Sequence, residues 1–371
     1  MKNQLSSWRL NILLLIASLL IVFICSELIT RTCNLVNGYG FFSNHLSLIN
    51  KKIKPMLPFR TFGFELYRKV DGIKYISSRH KELFPIIKPK GTFRIVVFGG
   101  STSENFISFK IAKIHYPLLL QSELRRRLNT KAIEVINVAK AGYSTAHSLI
   151  LFELDVLSWD PDLIIVSHNF NDLSASYWPE FTFDYSGKYS HKFFYVPDYK
   201  SIFSIPNVLF KHSAFYWFVR NRIDSLKTEE NKKIKRASYG NAPAESAIQV
   251  FKRNLRSITA IAKENGIKVL FGNQPILPKE RYFIKHISNK PYNSIVTYPL
   301  HEEFLHHHKT FNEAIKQVAE ETGVFFIDNE SVLGTRGKYF FDFLHYTTSG
   351  VTLLANNYAN CLIKQDIIKL R

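Results

Sequence analysis

Five short apolar runs, separated by stretches of helical spacing, constrain this chain more than any other feature. The runs are Phe93–Phe98, Ile133–Val138, Leu163–Ser167, Ile267–Phe271 and Val324–Ile327. The first is nearly continuous and β-branched at its core, which suits a strand covered on both faces, as in a parallel sheet. Between the runs, Tyr116–Leu128 and Thr145–Leu157 read as helices. Ala247–Ala262 carries Ile248, Phe251, Leu255 and Ile258 at helical spacing and is closed by Gly266. Phe311, Ala314, Ile315, Val318 and Ala319 mark a further helix ending at Gly323, and a last one runs from Thr348 to about Ile363. This alternation predicts a three-layer α/β/α domain around a mainly parallel, five-stranded sheet.

The ends of the runs carry the polar residues. Phe98 is followed by Gly99-Gly100-Ser101-Thr102-Ser103. Two glycines allow a sharp turn at low steric cost. They put Ser101 at the carboxyl end of a strand, where open α/β sheets place their chemistry. Three readings compete on the loop alone: a phosphate cradle, a serine nucleophile, and a hydroxyl cap on an ordinary turn. The phosphate cradle is disfavoured, since there is no G-x-G-x-x-G and no Lys-Ser/Thr after the loop. Near the other end of the chain stands Asp342-Phe343-Leu344-His345. A carboxylate three residues before a histidine can share its turn, fix its orientation and stabilise its protonated form. Gly142 follows the second run and Asn171 the third. If these strands are parallel neighbours, Ser101, Gly142 and Asn171 share one rim of the sheet. The Gly142 N–H and the Asn171 amide are then placed to donate to a developing oxyanion.

With these pieces in order, the chain resembles the SGNH, or GDSL-type, hydrolase superfamily, in the branch whose nucleophile motif reads Gly-Gly-Ser-Thr. The likeness runs from about Thr92 to Ile363 and includes "PDLIIVSHNFND" and "FLHYTTSGVTLLA". It implies a flavodoxin-like fold. It also implies Ser101 as nucleophile, His345 as base and Asp342 as acid, with Ser101, Gly142 and Asn171 forming the oxyanion hole. Two positions depart from the family pattern. Gly100 stands where an aspartate is usual. Asn169 stands where the third motif usually has glycine, and asparagine is the best non-glycine choice should that position need a left-handed backbone.

The resemblance implies an esterase that hydrolyses acyl esters, O-acetyl groups included, with no metal or organic cofactor. The expected substrate is an acylated glycan or a lipid ester of the cell envelope. The same residues serve two alternatives: an acyltransferase acting on polysaccharide, and a non-catalytic glycan-binding or scaffold protein. Other polar residues have plainer readings. Asp172 and Glu104 are expected to be structural, and His147 and His168 to be core or rim histidines. His301, His306, His307 and His308 diverge on a helix and close no metal site.

The amino terminus sets the address. Ile12–Cys25 is apolar except for Ser18, and Leu10–Ile29 reaches the length that spans a bilayer. Bulky Phe23 and Ile24 make a poor cleavage site, so an uncleaved signal anchor is expected. Lys2 and Arg9 are expected to stay cytoplasmic, leaving the body on the extracytoplasmic side. The formal net charge of +19 comes with no nucleic-acid-binding motif. It is read as a basic surface suited to anionic lipid or polymer, not as a nucleic-acid site. Three cysteines, Cys25, Cys33 and Cys361, make no disulfide framework.

The expected organisation is a tail at 1–9, the anchor at 10–29, a connector that partly wraps the main domain at 30–91, and the hydrolase domain at 92–371. An aromatic, basic insert at 173–245 interrupts that domain. In it Phe215, Phe218, Val219, Ile223 and Leu226 form one helical stripe, and Lys232–Arg236 is a basic cluster. The stripe suits a helix packed on the domain, a lid, or a surface resting on membrane or polymer.

Overall fold

The computed structural model describes residues 2–36, 65–178, 181–189, 213–216, 218–219, 245–288 and 298–370. The chain divides into two units. One holds residues 1–57 with 196–236, the other residues 58–195 with 237–371. Ile223, Leu226 and Lys232–Arg236 lie outside the described residues.

In the larger unit, β1 (Tyr67–Val70), β2 (Ile73–Ser77) and β3 (Leu83–Pro85) form a small antiparallel sheet within the segment read as a connector. Asp71 and Gly72 join β1 to β2 with φ of 49° and 80°. Two successive positive values are what a tight two-residue hairpin turn requires.

The five runs become β4 (Phe93–Gly99), β5 (Ile133–Asn137), β6 (Leu163–Ser167), β7 (Lys268–Gly272) and β8 (Phe325–Ile327). They form one sheet in the order β5-β4-β6-β7-β8, with every neighbouring pair parallel. Numbered along the chain this is the flavodoxin-like order 2-1-3-4-5. Its strand order reverses at β4, and such a switch point opens a crevice at the carboxyl ends of the strands.

Side chains of β4 alternate between two hydrophobic layers. Val96 and Phe98 face the layer built with helices Thr145–Leu154, Glu245–Glu264 and His301–Thr322. Ile95 and Val97 face the layer built with Tyr116–Arg127 and Thr348–Lys364. Both layers are dry, which is why the runs lack the apolar–polar alternation of a half-exposed strand.

Arg94 opens β4 and is fully buried. Its guanidinium donates to Glu134 Oε2 at 2.8 Å, to the Trp159 carbonyl at 2.7 Å and to the Pro85 carbonyl at 2.9 Å. It thereby ties the small sheet to the large one. Arg94→Met leaves the Glu134 carboxylate buried and unpaired, with an expected loss of about 3–5 kcal/mol in unfolding free energy. Adding Glu134→Leu should recover part of that loss. A denaturant titration showing Arg94→Met as stable as the parent would contradict this account.

Three buried histidines and the half-buried His80 set the acid stability. Desolvation lowers His147, His168 and His308 to about 3 and His80 to about 4. Below an unfolded value of about 6.5, the unfolded chain takes up protons that the folded chain refuses. Their contribution is therefore complete above that value and is lost as pH falls toward the folded values. Burial raises Asp172 to about 6 and raises Glu330, which acts in the opposite sense below pH 6. Four groups outweigh two, so Tm should fall between pH 6.5 and 4.5. A Tm that is constant or rising on acidification would contradict these assignments.

Candidate active site

The chain leaves β4 through Gly99 and Gly100, where neighbouring atoms crowd the space a side chain would take. A Cβ on Gly99 would lie 2.3 Å from Ser103 Oγ and 2.9 Å from the Ser167 carbonyl oxygen. A Cβ on Gly100 would lie 2.5 Å from Asn171 Nδ2. The second contact bears on the departure noted in the sequence, since a side chain at position 100 must displace the end of Asn171. Ser101 then begins the short helix Ser101–Glu104.

Ser101 Oγ is 2.9 Å from His345 Nε2, and His345 Nδ1 is 2.8 Å from Asp342 Oδ2. The other carboxylate oxygen of Asp342 accepts the backbone N–H groups of Leu344 at 2.8 Å and His345 at 2.7 Å. Burial alone would raise the Asp342 carboxyl. The nearby His286 ring, the hydrogen bond from His345 and the charge of His345 outweigh it and hold the group far below the ordinary carboxylate range.

Gly142 has φ of 86°, a left-handed conformation that favours glycine. The loop around it is braced from two sides. Glu104 is buried, and its carboxylate accepts the Ala141 N–H and pairs with Arg79 at 2.6 Å. Tyr189 donates its hydroxyl to the Gly142 carbonyl at 2.6 Å. Asn171 lies in the helix Phe170–Ser176, and its amide donates to the Tyr143 carbonyl at 2.8 Å. Lys188 donates to the Asn171 carbonyl at 2.8 Å and to Ser174 Oγ at 2.6 Å. Residues from four places in the chain are thus gathered at the carboxyl rim of β4, β5 and β6.

The remaining polar candidates fall as follows. Asp172 accepts from the Thr145 N–H at 3.0 Å and from the Thr145 hydroxyl at 2.5 Å, anchoring the start of the next helix. His147 completes a capping box with Ser144, and His168 pairs with Ser148 Oγ at 2.7 Å. His307 meets the Tyr177 hydroxyl at 2.8 Å, while His308 is buried. Asn169 has φ of −169°, extended backbone that any residue adopts, so the left-handed rationale is not needed. Its amide instead donates to the His308 carbonyl and to Asn312, each at 2.8 Å.

Sequence reasoning missed His286. It sits in the helix Glu280–Ser288 with Nδ1 3.9 Å from Asp342 Oδ2. Among the described residues, His286, Asp342 and His345 are the one His/Cys/Asp/Glu group whose ligand atoms, all within 4.8 Å of one another, are close enough to hold a metal ion. A cation there would compete with the Asp342–His345 hydrogen bond.

The Gly100 contact makes a separable prediction. In Gly100→Ala the end of the Asn171 side chain must move, which costs the fold little because it is a side-chain terminus. If Asn171 serves as an oxyanion donor, as the sequence leads one to expect, losing it costs about 10²–10³ in kcat. Unchanged kcat with unchanged Tm would show that Asn171 does not act there.

Fold and rim together describe a three-layer α/β protein of the hydrolase kind. Residues 97–353 match the GDSL-like lipase/acylhydrolase family, and the chain belongs to that family. It is accordingly a hydrolase of ester bonds. Similar solved structures include an alpha/beta hydrolase enzyme from the metagenome of Lake Arreo, Spain, at 12% identity and a TM-score of 0.41, covering 74% of this chain and 99% of that one. A catalytic mutant of an acetylxylan esterase from Geobacillus stearothermophilus is 14% identical with a TM-score of 0.42, covering 77% and 100%. A GDSL-like lipase from Bacteroides thetaiotaomicron is 14% identical with a TM-score of 0.38, covering 74% and 87%. Family membership rests on the match over 97–353 and not on these distant likenesses. No curated protein matches the chain.

Proposed function

We propose that the chain is a serine esterase that removes acyl groups, O-acetyl included, from an envelope glycan or lipid ester. The observation that supports this most is the hydrogen-bonded line from Ser101 through His345 to Asp342. His345 takes the Ser101 proton as Oγ attacks the ester carbonyl. Asp342 keeps the imidazole oriented and stabilises its charged form. The N–H groups of Ser101 and Gly142 and the Asn171 amide receive the oxyanion. His345 passes the proton to the leaving alcohol. Water, deprotonated by the same imidazole, then releases the acid and restores Ser101.

The address supports an envelope substrate. Leu10–Val36 is long and apolar enough to cross a membrane, with a mean hydropathy of 2.9 and none of the window buried. Lys2 and Arg9 before it favour a cytoplasmic amino terminus and an extracytoplasmic body.

The test is acyl release by the full chain in detergent micelles, from acetyl and longer aryl esters, with and without sugar acceptors. Free acid formed at the same rate with and without acceptor supports the esterase. Acylated sugar formed in its place identifies the transferase, and no acyl release from any ester sinks both.

A further inference from the structure

Glu27 is out of place. It lies inside Leu10–Val36, the segment apolar enough to cross a membrane. A carboxylate there is costly unless it is paired and hydrogen-bonded. It is both, and its partners come from the insert. Glu27 accepts hydrogen bonds from Ser213 Oγ at 2.8 Å, from the Ala214 N–H at 2.8 Å and from the Phe215 N–H at 2.9 Å. One turn along the anchor, Arg31 pairs with it at 2.7 Å. Residues 214–216 and 218–219 are helical, so these donors are the first N–H groups of a helix, which have no partner within it. Ser213 Oγ also accepts the Tyr216 N–H at 3.0 Å. Two sets of groups that are expensive to bury satisfy each other.

The apolar side chains here continue the surface of the anchor. Phe215 meets Phe23 edge to face, with ring centroids 6.3 Å apart. Beyond it Phe218 is 61% exposed, beside an anchor whose own apolar side chains are exposed. At about 1.5 Å per residue, Glu27 stands about 26 Å along the helix from Leu10, near the far edge of a hydrocarbon core about 30 Å thick. That is the depth at which an interfacial helix lies, with its apolar side in the acyl boundary and its polar ends at the headgroups.

We infer that residues 213–216 and 218–219 of the insert form a second membrane contact, lodged in the lipid interface beside the anchor and pinned there by Glu27. The occupant of the exposed face of Phe218 is lipid, because Phe218 stands one helical turn from Phe215, which packs on Phe23 of a span whose own apolar side chains are exposed. The inference rests on reading residues 10–36 as a membrane span. The anchor alone would fix only the amino terminus. With the pin, the chain is held to the bilayer at a second point, well after the third strand of the sheet.

The experiment uses the full chain in vesicles of phosphatidylethanolamine and phosphatidylglycerol. Cys25, Cys33 and Cys361 are replaced by serine, and a nitroxide is attached at Phe218→Cys or, as a control, at Leu19→Cys. Lipid-soluble oxygen and a water-soluble nickel reagent are compared as relaxers. The inference expects both labels to respond to oxygen over nickel. Glu27→Ala should reverse that preference at 218 and leave it at 19, while Glu27→Gln, which keeps one acceptor, falls between. Circular dichroism and thermal melting of each variant separate loss of the pin from loss of the fold. A nickel-accessible label at 218 beside a lipid-exposed label at 19 would overturn the inference and leave the anchor standing. A label at 19 open to nickel would overturn both. Protection of 218 from both relaxers would mean a protein-covered face, and a preference at 218 unchanged in Glu27→Ala would mean that Glu27 is not the pin. Either result overturns the inference.

Discussion

Replacing Ser101 with alanine is expected to lower kcat on an aryl acetate by about 10⁴- to 10⁶-fold, with the fold and Tm preserved. The size follows from the position of the hydroxyl. Ser101 Oγ is hydrogen-bonded to His345 Nε2 at 2.9 Å and follows a closely approached glycine pair. It is the atom that the proposed mechanism asks to attack, and alanine offers nothing in its place. His345→Ala should cost about as much, and the double variant little more than either alone, because members of one catalytic unit are not additive. Two single losses that multiply in the double variant would contradict a shared step. Steady-state kinetics on the purified full chain, with circular dichroism as the folding control, decide the matter.

Asp342→Asn is expected to lower kcat by about 10⁴-fold while leaving KM and stability close to the parent. The carboxylate takes only donors. One oxygen accepts two backbone N–H groups and the other accepts His345 Nδ1–H. An amide must turn its NH₂ toward one of these sets. If it faces the backbone, two donors clash with a third. If it faces the ring, the imidazole flips its proton to Nε2 and can no longer accept from Ser101. Because its surroundings hold the Asp342 carboxyl far below the ordinary carboxylate range, the acid limb of kcat/KM should not report this carboxyl. An active Asp342→Asn enzyme with the parent's pH profile would remove Asp342 from the mechanism.

The sheet was legible because its strands are buried on both faces. Runs such as Ile95–Phe98 and Leu163–Val166 declare that burial in their composition alone, and their ends shift by only a residue or two in the structure. That Ser101, Gly142, Asn171, Asp342 and His345 would gather at one rim was legible because each follows a strand or shares one turn; their roles are part of the proposal. What escaped has no local pattern. β1 and β2 are short and only partly buried, in a pattern too irregular to alternate. The Arg94–Glu134 pair, the hold of Glu104 on Ala141 and the approach of His286 to Asp342 each join residues far apart in sequence. The early insert also misled. Leu173 belongs to the helix that carries Asn171, and Lys188 and Tyr189 brace the loops of the site. A composition that reads as an interruption there completes the rim.

The central claim is that Ser101 is the nucleophile. The most direct measurement is labelling of the full chain with a fluorophosphonate, followed by intact mass and peptide mapping. The account predicts a single adduct on Ser101, absent in Ser101→Ala and strongly slowed in His345→Ala. An adduct on another serine, or an enzyme that keeps hydrolysing esters with Ser101 fully labelled, would contradict it.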